Sequence, residues 1–322
     1  MQIELKPRRA NADLLIGRLI LGTMTFGSQV DQPTGERMVG RCRDAGITMF
    51  DTANAYNDGR SEEMLGRIVK PFRREIQLAS KVGMSRDEDQ PLGRQSITRA
   101  LEATLRRLDT DYLDVYYLHT PDKHTPLDET LACLAEFVRQ GKIRYIAQSN
   151  FAAWQITELN CIATHKNLPR LQISQQMYNL LARRIEEEYV ACSRHHGLFN
   201  IVYNPLAGGL LTGKHRAGQQ PQAGSRFSNT HYQGRYWNEP QFQAVERLRG
   251  IAADAGMTLL ELAYRWLLSR AHVDCVLIGA SSMQHLEANL TAAKGEAPDD
   301  ETSARVDDIW KTLRGVAPAY NR

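Results

Sequence analysis

The chain is predicted to be an α/β protein folded as a (β/α)8 TIM barrel, and three observations predict it. Eight short apolar runs begin near Leu19, Ile47, Ile76, Tyr112, Ile143, Leu171, Phe199 and Cys275. Amphipathic stretches separate them, mostly at roughly thirty residues per unit, the length of a strand–helix–strand crossover. Such alternation implies parallel strands joined by right-handed connections. An open doubly wound sheet would share it, but a dinucleotide-binding one should carry G-x-G-x-x-G after its first strand, and none is present. Gly22 to Gly27 has P-loop spacing, yet Ser28 stands where a Walker loop requires Lys. The barrel accounts for the pattern better.

A hairpin of Gln2 to Leu5 with Asp13 to Ile16 is expected ahead of the first core strand, Leu19 to Thr23. Helices are expected over Thr34 to Ala45, Ser61 to Val69, Ser96 to Leu108, Trp154 to Thr164 and Arg183 to His195. The helix after the fourth strand has the clearest punctuation. Thr125 is its predicted N-cap, Pro126 its first residue, and Asp128 completes a capping-box pattern. Its apolar face is Leu127, Leu131, Leu134 and Val138, and Gly141 ends it. After the seventh strand comes a long segment, Gly208 to Pro240, rich in Gly, Gln and Asn. Its Arg226, Phe227, Tyr232, Arg235, Tyr236 and Trp237 suit a loop folded back on the barrel rather than a tether. Helices Gln241 to Ala253 and Leu259 to Ser269 then precede strand eight, and Glu301 to Leu313 follows it. No linker divides the chain, so residues 1–322 are read as one domain.

Composition limits the partners. With 42% hydrophobic residues, 24% charged residues and a net charge of +3, the 322 residues can bury a large core and show no basic footprint for nucleic acid. Neither a membrane span nor a signal-peptide apolar region is recognisable. The five cysteines are scattered and never paired as C-x-x-C. Buried free thiols in a cytoplasmic protein explain them better than disulfides, a metal site or a nucleophile. No metal is expected.

The candidate chemistry lies at strand ends. The apolar run from Ile47 ends in Asp51, with Tyr56 on the turn beyond it. By itself this stretch reads as a buried Asp capping the next helix and a Tyr covering the core edge. The third strand ends in Lys81 and the fourth in His119. In a barrel, all of these ends open on one face. A Lys closing an apolar strand needs a carboxylate partner, and Asp51 is available. Its charge beside a phenol is expected to lower the Tyr56 pKa from its usual ~10. Tyr56 would then be a general acid, with His119 donating a hydrogen bond to the substrate oxygen or to Tyr56.

These residues sit in motifs with a known counterpart. The chain resembles an aldo-keto reductase from Leu21-Gly-Thr-Met to Leu290. The matching pieces are Phe50-Asp-Thr-Ala with Tyr56, Ala79-Ser-Lys81, Leu118-His119, Gly141-Lys-Ile-Arg, Ser149-Asn150 and Gln175 ahead of Tyr178-Asn179. They continue through Tyr203-Asn-Pro-Leu, Gly209-Leu-Leu-Thr-Gly-Lys214 and Gly279-Ala-Ser-Ser to Asn289. The resemblance implies a catalytic tetrad of Asp51, Tyr56, Lys81 and His119. It also implies NADPH/NADP+ lying across the barrel mouth and a small-molecule aldehyde or ketone as substrate. Thr23, Met24 and Gln29 would contact the cofactor after the first strand. Ser149, Asn150 and Gln175 would hold the nicotinamide carboxamide, and Tyr203 would stack on its ring. Asn204, Pro205, Leu206, Gly208 and Lys214, with Arg226, would face the pyrophosphate. Gly279, Ser281, His285 and Asn289 would hold the adenosine end. No Lys or Arg lies between Gly279 and Asn289, so a 2′-phosphate there would rest on Ser281, Ser282, helix amides and Arg226.

One branch, the aflatoxin-aldehyde and succinic-semialdehyde reductases, is especially similar through Ser149-Asn-Phe-Ala-Ala-Trp154, Asn204 to Lys214, and Arg226-Phe with Arg235-Tyr-Trp237. It implies substrate contacts at Tyr232 and Arg235, whose guanidinium suits a carboxylate or polar carbonyl. The segment before Arg226 differs from that branch in length, and the loop from Arg226 to Tyr232 is shorter. A homo-oligomer is left open. The fold is also similar to the β subunits of voltage-gated potassium channels, NADPH-binding proteins of little turnover. Those carry Asn at the His119 position and Trp at the Tyr203 position, so both sites here follow the enzyme pattern.

Overall fold

The computed structural model describes residues 2–11, 13–84, 89–221 and 224–317. The described residues form ten strands: β1 (Arg8–Asn11), β2 (Leu14–Ile16), β3 (Leu19–Gly22), β4 (Met49–Asp51), β5 (Gln77–Val82), β6 (Leu113–Leu118), β7 (Ile143–Ser149), β8 (Ile173–Met177), β9 (Phe199–Tyr203) and β10 (Cys275–Gly279). Strands β3 to β10 form a closed barrel in chain order, and the closing pair β10–β3 runs parallel from Val276↔Leu19 to Gly279↔Gly22. Helices surround it, so the predicted (β/α)8 barrel is the fold.

Two apolar layers follow from strand alternation. Successive side chains point to opposite faces. Ile20, Met49, Ala79, Val115, Tyr117, Ala147, Ile173 and Ile201 fill the barrel interior, whereas Leu19, Leu21, Phe50, Leu78 and Tyr116 pack outward against the helices. Leu14 and Ile16 of the hairpin join the interior cluster and close the end opposite the mouth. A step of two along each strand therefore leads from an interior apolar residue to one at the mouth. Met49 leads to Asp51, Ala79 to Lys81, Tyr117 to His119, Ala147 to Ser149, Ile173 to Gln175 and Ile201 to Tyr203.

Several expected elements differ. The hairpin exists, but β2 pairs with β1, not with Gln2 to Leu5. The two strands are neighbours in sequence, so pairing them costs little loop entropy, while Gln2 bridges Glu296 and Ile3 N donates to Gly295 O (2.9 Å). Thr125 does not cap the helix Leu127–Arg139; its hydroxyl donates to Asp122 (2.5 Å), and Pro126 occupies the cap position. The stretch Arg183 to His195 is broken into a 3-10 turn, Arg184–Glu186, and a helix, Tyr189–His196. Arg183 is drawn inward, pairing with Glu186 and lying over Trp266.

The long segment after β9 does fold back. It contains 3-10 turns at Ala207–Thr212 and Arg226–Ser228 and a helix, Thr230–Tyr236. His215, Phe227, Trp237 and Phe242 stack edge to face or tilted, with ring centroids 4.7–5.2 Å apart, and pin it to the helix Glu239–Asp254. Gly208 has φ 71°, and a Cβ there would lie 2.9 Å from the Tyr232 ring, so the turn and the packing both require glycine.

Candidate active site at the barrel mouth

Asp51, Tyr56, Lys81 and His119 converge. Asp51 is the last residue of β4, and Lys81 lies near the end of β5; both are fully buried. The Lys81 ammonium has three acceptors for its three protons: the Asp51 carboxylate, Thr52 O at 2.7 Å and Tyr56 OH at 3.4 Å. Tyr56 opens a short turn in which Asn57 and Asp58 have positive φ, and Asn57 ties that turn to Met24 O and Phe26 O. The His119 ring stands edge-on to Tyr56 with centroids 5.9 Å apart.

Burial governs the titrations. It pushes the Tyr56 phenol above its ordinary 10.0, outweighing the opposing field of Lys81. The expected lowering is therefore not found, because a dry site disfavours the phenolate more than one ammonium favours it. Burial also opposes the charge on Lys81, but Asp51 and Tyr56 together outweigh it, and its pKa stands above 10.5. Burial, assisted by Lys81, lowers His119 to about 3, so its imidazole is neutral across the physiological range. His119 Nδ1 is buried without a partner among the described residues.

The next strand ends extend the mouth. Ser149, Asn150 and Gln175 adjoin the cluster, with Ser149 opposite Gln175 in the β7–β8 ladder. Asn150 has φ 63° and is already engaged. Its Nδ2 donates to His119 O (2.8 Å) and Ser149 Oγ (3.1 Å), and its Oδ1 accepts from Tyr203 OH (2.6 Å). Gln175 Nε2 donates to Asp51 Oδ2 (3.0 Å). Thr23 is fully buried behind the cluster and bonds Asp51 O and Ser61, so its hydroxyl holds the strand end rather than facing the groove.

The long segment crosses this mouth. Gln29 Nε2 donates to Gly224 O (2.7 Å), and Arg226 Nη1 reaches Tyr232 OH (3.0 Å) and the Met24 sulfur (3.3 Å). Arg226 Nη2 also lies 3.6 Å from where a Cβ on Gly279 would be, so the guanidinium spans the groove between β3 and β10. Arg235 lies over Tyr232 at 6.0 Å and approaches the Met177 sulfur. Neither Arg226 nor Arg235 forms an ion pair among the described residues. Asn204 is a turn organiser: Gly208 N donates to its Oδ1 (2.7 Å), and its Nδ2 donates to Tyr236 OH (2.8 Å). Pro205 and Leu206 continue that turn.

At the other end of the groove, Ser281 Oγ bonds His285 Nδ1 (3.0 Å), and Asn289 Nδ2 clamps Gly279 O (3.1 Å). Lys214 is exposed and close enough to His285 to add to the lowering that partial burial causes. A cleft of about 340 Å³ opens beside Ser281, Ser282 and Met283. Its far wall is Ser28, Gln29, Asp31, Thr34 and Arg37. Sequence reasoning missed Arg37, since nothing local on the helix Gln32–Asp44 marks it as facing a site.

Fold and site together define a barrel enzyme with its polar groups at the C-terminal ends of the strands. Residues 18–311 match the Aldo/keto reductase family, and the chain belongs to that family. It is an oxidoreductase of carbonyl compounds. Similar proteins include human aflatoxin B1 aldehyde reductase member 2, 32% identical over 94% of this chain and 89% of that one. Human aldo-keto reductase family 7 member A3 is also 32% identical, over 94% and 96%. A probable voltage-gated potassium channel subunit beta of Oryza sativa subsp. japonica is 34% identical over 87% and 88%.

Proposed function

We propose that this protein is a cytoplasmic NADPH-dependent carbonyl reductase that interconverts aldehydes and alcohols, with Tyr56 as general acid. The observation that carries the reading is the buried relay from Asp51 through Lys81 to Tyr56 OH. Lys81 donates to the phenol oxygen, which leaves the phenol's own proton for a substrate oxygen. His119, kept neutral by burial, carries one ring N–H that can donate a second hydrogen bond to that oxygen. Asp51 keeps Lys81 charged and in place. Bound at this mouth, NADPH would supply the hydride.

The residues present suit that cofactor. Ser149 and the side-chain amides of Asn150 and Gln175 offer donors and acceptors for a carboxamide. Arg226, without a carboxylate partner among the described residues, suits a pyrophosphate. The 2′-phosphate would lie in the cleft between Ser281, Ser282 and Arg37, with Lys214 nearby, which supports NADPH over NADH. Asp31 lines the same cleft, but its carboxylate accepts from Thr34 N (3.0 Å) at the helix start. Relatives named aflatoxin B1 aldehyde reductase support an aldehyde substrate, and Arg235 suits one that carries a carboxylate.

A second reading, an NADPH-binding regulatory subunit with little turnover, draws on similar plant proteins named as probable voltage-gated potassium channel subunits beta. His119 and Tyr203 favour the enzyme. The deciding assay follows NADPH consumption with para-nitrobenzaldehyde and a panel of aldehydes. Wild type is expected to turn over, and Tyr56→Phe to lose about 100-fold or more. NADPH binding without turnover on any aldehyde would favour the regulatory subunit. Equal rates for the two proteins would remove Tyr56 from its role.

A further inference from the structure

Gln175 joins the cofactor side of the mouth to the carboxylate that supports the proton relay. It sits on β8, across the barrel from Asp51, and both side chains are buried. Its Nε2 lies 3.0 Å from Asp51 Oδ2, while Oδ1 of the same carboxylate takes the Lys81 proton. Only the NH2 end of an amide can face a carboxylate, so the orientation of Gln175 is set by this contact. Both oxygens of Asp51 are thereby held, one by an ammonium and one by an amide.

We propose that Gln175 is a positioning residue for the proton relay: its amide holds Asp51 so that Lys81 stays charged beside Tyr56, while its carbonyl oxygen remains available to a cofactor carboxamide. This rests on the reductase reading and adds to the carboxamide contact a second task at the opposite end of the same side chain. Without the amide, Asp51 Oδ2 loses the donor that Gln175 supplies, which favours transfer of a proton from Lys81 to the carboxylate. The pair becomes neutral, and Tyr56 loses the field that offsets its burial. The titratable groups facing the relay are Tyr56 on the turn after β4, Lys81 on β5, Tyr117 and His119 on β6 and its end, Tyr203 at the end of β9, and Tyr232 from the long segment. Tyr117, fully buried, stays a neutral phenol because burial and then Asp51 raise it well above its ordinary value. Lys81 is thus the cation of the cluster whose charge Gln175 controls.

The test uses Gln175→Met, which keeps the length and removes the donor, and Gln175→Glu. Alcohol oxidation requires the Tyr56 phenolate, so its rate rises with pH through the Tyr56 pKa; aldehyde reduction requires the phenol and falls there. In Gln175→Met both limbs should move to higher pH, by about one unit, with kcat for oxidation at neutral pH falling roughly tenfold. In Gln175→Glu, the new carboxyl can donate to Asp51 only while protonated, so an added limb should appear as it ionises. NADPH affinity, read by quenching of protein fluorescence, separates the two tasks. If Gln175→Met weakens NADPH binding and leaves both limbs unmoved, Gln175 is a cofactor contact only and the proposal falls. If the wild type binds NADPH but turns over no aldehyde, the reductase reading fails instead. The ultraviolet titration of the Tyr56 phenol, obtained by difference from Tyr56→Phe, then still decides the positioning role: an unshifted phenol in Gln175→Met overturns it.

Discussion

Removing the charge of Asp51 is the sharpest test of the buried pair. Asp51 is 1% exposed and Lys81 0%, and Lys81 finds its remaining acceptors in Thr52 O and Tyr56 OH. Asp51→Asn keeps the shape and deletes the counter-charge. Breaking one side of a buried ion pair costs about 3–5 kcal/mol, because the other charge is left desolvated and alone. For a chain of 322 residues, with an unfolding entropy of about 2 cal/mol/K per residue, each kcal/mol moves the melting midpoint by roughly 1.5 °C. Scanning calorimetry at neutral pH should therefore show a fall of about 5–7 °C. Adding Lys81→Met removes both charges, and the double variant should lose clearly less than the sum of the two singles. The pH dependence has a definite sign. The pKa of Lys81 in the folded chain stands above 10.5, so the pair's contribution is whole below that value. It is lost as pH rises through the folded pKa. The gap between wild type and double variant should close as pH rises through that alkaline range. A single variant that melts with the wild type, or a double variant that loses the full sum, would refute the reasoning.

Three further outcomes are expected. Arg37→Ala should weaken NADPH binding roughly tenfold while leaving NADH nearly unchanged; equal losses in fluorescence titrations would take Arg37 out of the 2′-phosphate site. Arg235→Ala should raise KM about tenfold for an aldehyde bearing a carboxylate and change para-nitrobenzaldehyde little, and an indifferent Arg235 would fail to discriminate the two. His119, lowered to about 3, should show no imidazole titration between pH 5 and 8 by nitrogen-proton NMR, and an ordinary titration near ~6.5 would contradict its burial.

The barrel was legible because backbone periodicity is local. Apolar runs spaced by helix-length stretches predicted eight parallel strands, and each run's last polar residue marked a position at the mouth. Asp51, Lys81, Ser149 and Gln175 follow interior residues by a step of two, a pattern visible along each strand. Where the reading of an element failed, a distant or competing partner had intervened. Asp122 took the Thr125 hydroxyl from the helix cap, Glu186 and Trp266 drew Arg183 inward, and Gly295 took the backbone of Ile3 from the hairpin.

The sequence by itself determined the barrel, the face on which its strands end, and the residue types brought there. The tertiary structure alone decided how those residues divide their bonds. Gln175 meets Asp51 across 124 positions of chain, and Arg37, from a helix at the other end of the sequence, lines the same cleft as Ser281. Burial, too, is a property of the closed barrel, and it reversed the expected direction of the Tyr56 titration. Strand alternation aims a side chain inward, but which group answers it, and how little water lies between them, depends on the closure of the ring.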